Sequence, residues 1–284
     1  MLIIVLSSKT SGNNGDNMDR YKTLTIHLSK LFQSLLRPLA ALIIVVGLGG
    51  LAAESNPSPG ANNKKASGLT EALGARAKQS AQSKSISPAK KKVMSDAIEE
   101  LRTSKIVDGV LKVGQPMIPF KLKGADGNYV SSKSMLEKGP LVVVFYRGGW
   151  CPYCNLNLRY LEKNLSRIKE AGAGLVAISP ETPDESLSTR EKNELKFPVL
   201  SDPGNEYARK LGLVFKLPKE LISVYRDFGI DLEKSNGDDS WELPLAATFI
   251  VDADGVVRER FVDEDYKKRM DPEDILRGLK SLKK

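Results

Sequence analysis

The sequence predicts an α/β fold in which a partly parallel sheet is joined by one helical crossover and finished by an antiparallel hairpin. Three observations predict it. Residues 141–146 (LVVVFY) form an unbroken β-branched and aromatic run between Gly139-Pro140 and Gly148-Gly149, the pattern of a strand buried on both faces. Leu156, Leu158, Leu161, Leu165 and Ile168 then recur near helical spacing over 153–171, and residues 174–179 (GLVAIS) read as a second buried strand. Residues 247–252 and 256–262 pair as a hairpin around Ala253-Asp254-Gly255.

The remaining elements follow in order. Met94, Ile98, Leu101 and Ile106 place a helix over about 95–104. MIPFKLKGADGNYVSS reads as two short strands turning at Ala125-Asp126-Gly127. FPVLSD is a short strand, 205–211 a short helix, 217–228 a helix, and 272–282 the closing helix. Residues 231–245 read as a long loop whose Asp238, Asp239 and Glu242 are solvated, with Trp241 as the anchor.

With 41% hydrophobic and 27% charged residues, the 284-residue chain has ordinary globular composition, which excludes disorder throughout. Its net charge of +8 is unevenly placed: residues 1–92 hold 13 Lys/Arg against 4 Asp/Glu, and residues 93–284 hold 30 against 31. The folded part is therefore neutral, and a nucleic-acid partner is not expected. The one histidine, His27, precedes the folded region, so Ser-His and Cys-His nucleophiles and His-ligated metals are excluded there.

Residues 1–53 read as a leader. Arg20, Lys22, Lys30 and Arg37 precede the uncharged run 38–53 (PLAALIIVVGLGGLAA), giving the basic, apolar, small order of an export signal. As a helix that run spans about 24 Å, short of the ~30 Å hydrocarbon core. Export to periplasm, extracellular space or an organelle lumen is the expectation. A membrane anchor through 38–53 is the main alternative, and an organelle transit peptide is another. Residues 54–92, poor in large apolar side chains, read as a flexible linker with a transient helix around Thr70–Ser80. Residues 93–284 are the folded domain.

The only two cysteines, Cys151 and Cys154, form a C-x-x-C pair where the first buried strand meets the long helix. The carboxyl ends of strands in open α/β sheets are where ligands bind. A thiol reacts as its thiolate, and a free cysteine has a pKa of about 8.5, so a useful nucleophile needs its anion stabilised. A helix N-terminus supplies free N–H groups and the positive dipole end, Arg147 adds a cation, Pro152 suits the first helical position, and Trp150 can shield the pair from water. A structural zinc half-site lacks its other two ligands. Two inert core thiols remain an alternative to redox chemistry.

FYRGGWCPYCNLNLRYLE (145–162), with LKVGQPMIPFKL before it and ATFIVDADGVVRERFV after it, resembles the thioredoxin-like peroxiredoxins of the alkyl hydroperoxide reductase and thiol-specific antioxidant family, in its C-x-x-C branch. The resemblance covers about 107–284. It implies a thioredoxin fold with an added N-terminal hairpin and helix, a hydroperoxide substrate, a thioredoxin-like reductant and no cofactor or metal. Laid on the family pattern P-x-x-x-T/S-x-x-C, Cys154 takes the attacking position, Cys151 stands for the Thr and Arg147 for the Pro. Trp150 and Thr248 are implied as substrate contacts. A second family position, Arg in peroxiredoxins and cis-Pro in thioredoxins, falls on Ala246 and matches neither. Trp150-Cys151-Pro152-Tyr153-Cys154 also resembles the thioredoxin W-C-x-x-C, in which the first Cys attacks. A tethered thiol–disulfide reductase is thus the alternative to a peroxidase.

Overall fold

The structure is a computed structural model that describes residues 68–282. The leader 1–53 and the first part of the linker lie outside the described residues. In chain order the elements are α1 (Leu69–Gln82), α2 (Pro88–Thr103), β1 (Lys121–Gly124), β2 (Tyr129–Ser131), α3 (Ser132–Leu136), β3 (Leu141–Phe145), α4 (Pro152–Lys163), α5 (Leu165–Glu170) and β4 (Gly174–Ser179). They continue with α6 (Pro183–Lys192), β5 (Val199–Ser201), α7 (Glu206–Lys210), β6 (Val214–Lys216), α8 (Lys219–Asp227), α9 (Leu232–Asn236), β7 (Glu242–Pro244), β8 (Ala247–Val251), β9 (Val257–Val262) and α10 (Pro272–Ser281).

One seven-stranded sheet runs β2-β1-β5-β4-β3-β8-β9. β3 pairs parallel with β4 and antiparallel with β8, and β9 continues antiparallel beyond β8. With α4 and α5 as the crossover and α10 as the final helix, the order β4-β3-β8-β9 is the thioredoxin arrangement, and the β1–β2 hairpin is the expected addition. β3 is buried at every position, as its unbroken apolar run required. Val142, Val144 and Tyr146 face α4, α5 and α10 through Leu158, Leu161, Ile168 and Ile275. Leu141, Val143 and Phe145 face the other way, onto Tyr207, Ala208 and Val257.

Three expectations need correction. Residues 68–92 are not a flexible linker. Leu69 and Leu73, one turn apart on α1, are buried in the same cluster as Cys151 and Cys154. Two buried leucines are worth about 1.5–3 kcal/mol each, enough to hold a helix that composition marked as tether. Thr70 further bonds the Asp271 carboxylate through its N–H and hydroxyl, at 3.0 and 3.1 Å. Next, α2 starts at Pro88 rather than near 95, because Ser87 caps it, accepting the Lys90 N–H at 3.3 Å, and Pro88 takes the first helical position. Last, the 153–171 helix breaks at Asn164, and the 231–245 loop contains α9 and β7. There β7 pairs with β6, and Trp241 is buried and donates to Glu233 at 2.9 Å.

Candidate active site

β3 delivers the chain to Arg147, and Gly148-Gly149 turns it into α4. Gly148 has φ 155°, and a side chain there would strike the Trp150 indole, while one at Gly149 would strike Thr189. The turn is held from behind by Glu181, which follows β4. Its carboxylate accepts the Gly149 N–H at 2.7 Å, the Tyr146 hydroxyl at 3.1 Å and the Thr189 hydroxyl at 3.3 Å. Asn155, on the first turns of α4, donates to the Gly149 carbonyl at 2.6 Å, and Asn193 in turn donates to Asn155 at 2.9 Å. Cys151 is the N-cap of α4, Pro152 opens the helix and Cys154 lies inside its first turn.

Both cysteines are free, and both are closed off from solvent, at 1% exposure for Cys151 and 0% for Cys154. Around Cys154 stand two buried arginines. Arg269, from the segment before α10, donates Nη2–H to the Cys154 sulfur at 3.2 Å and is held by the carbonyls of Tyr266 and Lys268, both at 2.6 Å. Arg147 donates to the Tyr225 hydroxyl and lies over the rings of Tyr266, Trp150 and Tyr225 at 4.3, 5.1 and 5.7 Å. The aromatic faces favour a cation there. Neither arginine is paired with a carboxylate among the described residues, although exposures are only 3% for Arg147 and 5% for Arg269.

The two thiols respond in opposite directions. Burial pushes the Cys154 thiol up, but the Cys151 S–H, the charges of Arg269 and Arg147 and the Arg147 backbone N–H outweigh it, holding Cys154 well below the ordinary thiol range. Burial pushes Cys151 well above that range, and donating to Cys154 adds to the rise. Behind them, burial raises Glu181 to about 7 against the opposing hydrogen bonds of Gly149, Tyr146 and Thr189.

A family model for the AhpC/TSA family matches residues 113–260, just over half of the chain. The chain belongs to the AhpC/TSA family. It is an oxidoreductase of the peroxidase class. The chloroplastic peroxiredoxin Q of Sedum lineare is 29% identical over 183 residues, covering 64% of this chain and 85% of that protein. Peroxiredoxin Bcp of Escherichia coli K12 is 26% identical over 170 residues, covering 60% and 96%. Among solved structures, peroxidoxin BcpB of Mycobacterium tuberculosis aligns with a TM-score of 0.48 at 20% identity, covering 61% of this chain and 98% of that one.

Cys151, Cys154, Arg147 and Trp150 lie together at the junction of β3 and α4, with Arg147 over the Trp150 ring. Thr248 is buried in mid-β8, cross-strand from Val144 and Phe261. It thus shares a sheet face with Val144, which packs in the cysteine cluster. The expected role of Arg147 is divided: its guanidinium bonds Tyr225, and Arg269 makes the direct bond to sulfur. Sequence reasoning missed Arg269, which reaches Cys154 across 115 residues from a segment with no motif. Glu181 was findable, since it lies two residues beyond the carboxyl end of β4, where the strand-end rule already pointed.

Proposed function

We propose that the chain is a thiol peroxidase in which Cys154 reduces hydroperoxides and Cys151 resolves the product. The observation that carries this reading is the pair of buried guanidinium groups without a carboxylate. A buried cation is costly unless an anion accompanies it, and the Cys154 thiolate is the anion within reach. The Cys154 thiolate attacks the outer oxygen of R–O–O–H. The S–O bond forms, the O–O bond breaks, and the departing alkoxide takes a proton to become R–OH. Arg147, whose Nε–H has no acceptor, is placed to stabilise the negative charge that develops on that oxygen. Cys151 then attacks the Cys154 sulfenic acid, releasing water and forming a disulfide, and a thioredoxin-like dithiol returns both thiols by exchange.

The rival reading, a thiol–disulfide reductase with Cys151 attacking, asks for an anion at the sulfur that burial disfavours. It also leaves unexplained why Arg269 bonds the Cys154 sulfur. Titration of the reduced full-length chain with hydrogen peroxide tests the proposal. One equivalent should remove both titratable thiols and about 2 Da of mass, the two hydrogens lost on disulfide formation. Two thiols surviving mild peroxide would support the inert-core alternative.

We further propose that residues 1–53 direct the chain out of the cytosol. The basic, apolar, small order supports this, as do relatives named chloroplastic peroxiredoxin Q. Among the described residues no helix is long and apolar enough to cross a membrane. Amino-terminal sequencing of the native protein should begin near Ala53 or Glu54; recovery of Met1 or Met18 on a cytosolic protein would contradict it.

A further inference from the structure

The two sulfurs must react with partners of very different size, yet Cys151 is 1% exposed and Cys154 0%. A molecule as small as hydrogen peroxide can reach a sulfur through small fluctuations in packing. A dithiol protein cannot, because thiol–disulfide exchange brings the attacking sulfur into contact with the one it attacks and so depends on access. Part of the enclosure is α1. Leu69 and Leu73 bury in the cluster that holds Cys151, Tyr153 and Cys154, and α1 precedes the family-matched residues 113–260. This part of the cover is therefore an addition of this chain to the matched core.

The helix is lightly seated at one end and tethered at the other. Of its 14 residues only Leu69 and Leu73 are buried. Its N-terminal end is held by Thr70, whose N–H and hydroxyl donate to Asp271, the residue that caps α10. Its C-terminal end is tied to α2, where the Lys91 ammonium donates to the Ala81 and Ser83 carbonyls at 2.7 and 2.8 Å. α2 in turn is packed on α8, with Ala97 in one cluster with Leu221 and Tyr225. Beneath α1 lies a cavity of about 360 Å³, lined by Ala77 and Ser80 of α1, Met94 and Ile98 of α2, and Tyr153 from within the C-x-x-C turn. Protein interiors are close-packed, so a void there leaves the helix few contacts to break when it lifts. The non-helical residues 83–87 between α1 and α2 supply the hinge.

We propose that α1 is a flap that sorts the reactants of the thiol pair by size. Seated, it admits a small oxidant and excludes protein thiols; lifted, with α4 left in place, it opens the Cys151–Cys154 disulfide to a dithiol protein. The inference rests on the peroxidase reading above and deepens it. With α1 lifted, a thiolate of the dithiol protein attacks one sulfur of the disulfide. The S–S bond breaks as the mixed disulfide forms, and the other sulfur leaves as a thiolate. The second thiol of the partner then breaks the mixed disulfide, so that the partner departs oxidised by two electrons and both cysteines are returned reduced. Before that, the seated flap keeps foreign thiols from the Cys154 sulfenic acid, so that Cys151 is the thiol it meets.

The test measures two rates in the full-length chain: oxidation of the reduced pair by hydrogen peroxide and reduction of the oxidised pair by thioredoxin. Leu69→Ala combined with Leu73→Ala shortens both anchors and raises the population with α1 lifted. The thioredoxin step should then speed up by roughly tenfold or more while the peroxide step stays within about threefold. Thr70→Val, at an exposed position that leaves the leucines seated, should act in the same direction by a smaller factor. In the unaltered chain, a mixed disulfide with thioredoxin lacking its second cysteine should show faster amide hydrogen exchange over 69–82 than the free oxidised chain, a readout that needs no variant to fold. Three results would each overturn the flap and leave the peroxidase reading standing: a ratio of the two rates unchanged within about twofold in both variants, thioredoxin inert on the double variant, or equal exchange over 69–82 in the mixed disulfide and the free chain. Failure of the unaltered chain to lose its thiols to hydrogen peroxide would instead remove the peroxidase reading, and the flap proposal with it.

Discussion

Cys151 and Cys154 share one helical turn and the same lack of exposure, yet their thiols are pushed in opposite directions. The helix N-terminus serves both alike, and burial disfavours the anion at both. What differs is who donates. Cys154 receives the Arg269 guanidinium at 3.2 Å, the Arg147 N–H and the Cys151 S–H, whereas Cys151 keeps its proton and donates it in a hydrogen bond to Cys154. Arg269, from outside the motif, bonds the Cys154 sulfur, whereas the motif alone fits either assignment of roles.

The sharpest way to break this comparison is to remove each sulfur in turn. Cys154→Ser should consume no peroxide above the uncatalysed rate. Cys151→Ser should consume one equivalent, leave a sulfenic acid at Cys154 that a dimedone-type reagent traps, and then stop. A trapped adduct on Cys151 in the Cys154→Ser protein would reverse the two roles and raise the reductase reading to first place.

A smaller effect is expected when the donor rather than the acceptor is removed. Arg269→Met keeps much of the side-chain bulk but loses the charged hydrogen bond, worth about 1.5–3 kcal/mol. The Cys154 thiol pKa should therefore rise by about one to two units, and the first-step rate should fall by up to roughly 10- to 100-fold at the acid end of its pH profile. The sign is defined. Losing a cation raises the Cys154 thiol pKa, so the deficit should shrink as pH rises. A deficit constant from pH 6 to 9 would mean that Arg269 supports packing rather than the thiolate.

How much of this was legible follows from where each part lies along the chain. β3, α4 and the cysteine pair were readable because a doubly buried strand, a leucine periodicity and Pro152 all write themselves locally. Arg147 was readable through its nearness to the motif. Arg269 was not, since it meets Cys154 only after the chain has passed through β8 and β9. Composition misjudged α1 for a related reason: Leu69 and Leu73 are sparse along 54–92, but one turn apart they suffice for a face that α4 completes. The capping pair Ser87-Pro88 was a local signal for α2 that the apolar spacing overshadowed.

The smallest expected change in activity concerns Glu181, the buried carboxyl that holds the turn before both thiols. Burial raises it to about 7, from an ordinary value of 4.5, so the folded protein keeps its proton over a range where the unfolded chain has released it. Its contribution to stability is thus fully present below about pH 4.5, declines as pH rises towards about 7, and is level above that. Glu181→Gln keeps an acceptor for the Gly149 N–H but removes the titration. Melting of the variant should accordingly lose that downward slope, and its stability relative to the unaltered chain should improve between pH 5 and 7.5 by an amount on the order of 2 kcal/mol. Reactivity should move less. A charge on Glu181 and a charge on Cys154 oppose one another, so the amide should let the thiolate persist to slightly lower pH, a shift measurable by the pH dependence of alkylation in Cys151→Ser. Parallel melting profiles for the two proteins would show that Glu181 is already ionised when folded, and the turn would then be held by a carboxylate at every pH at which the enzyme works.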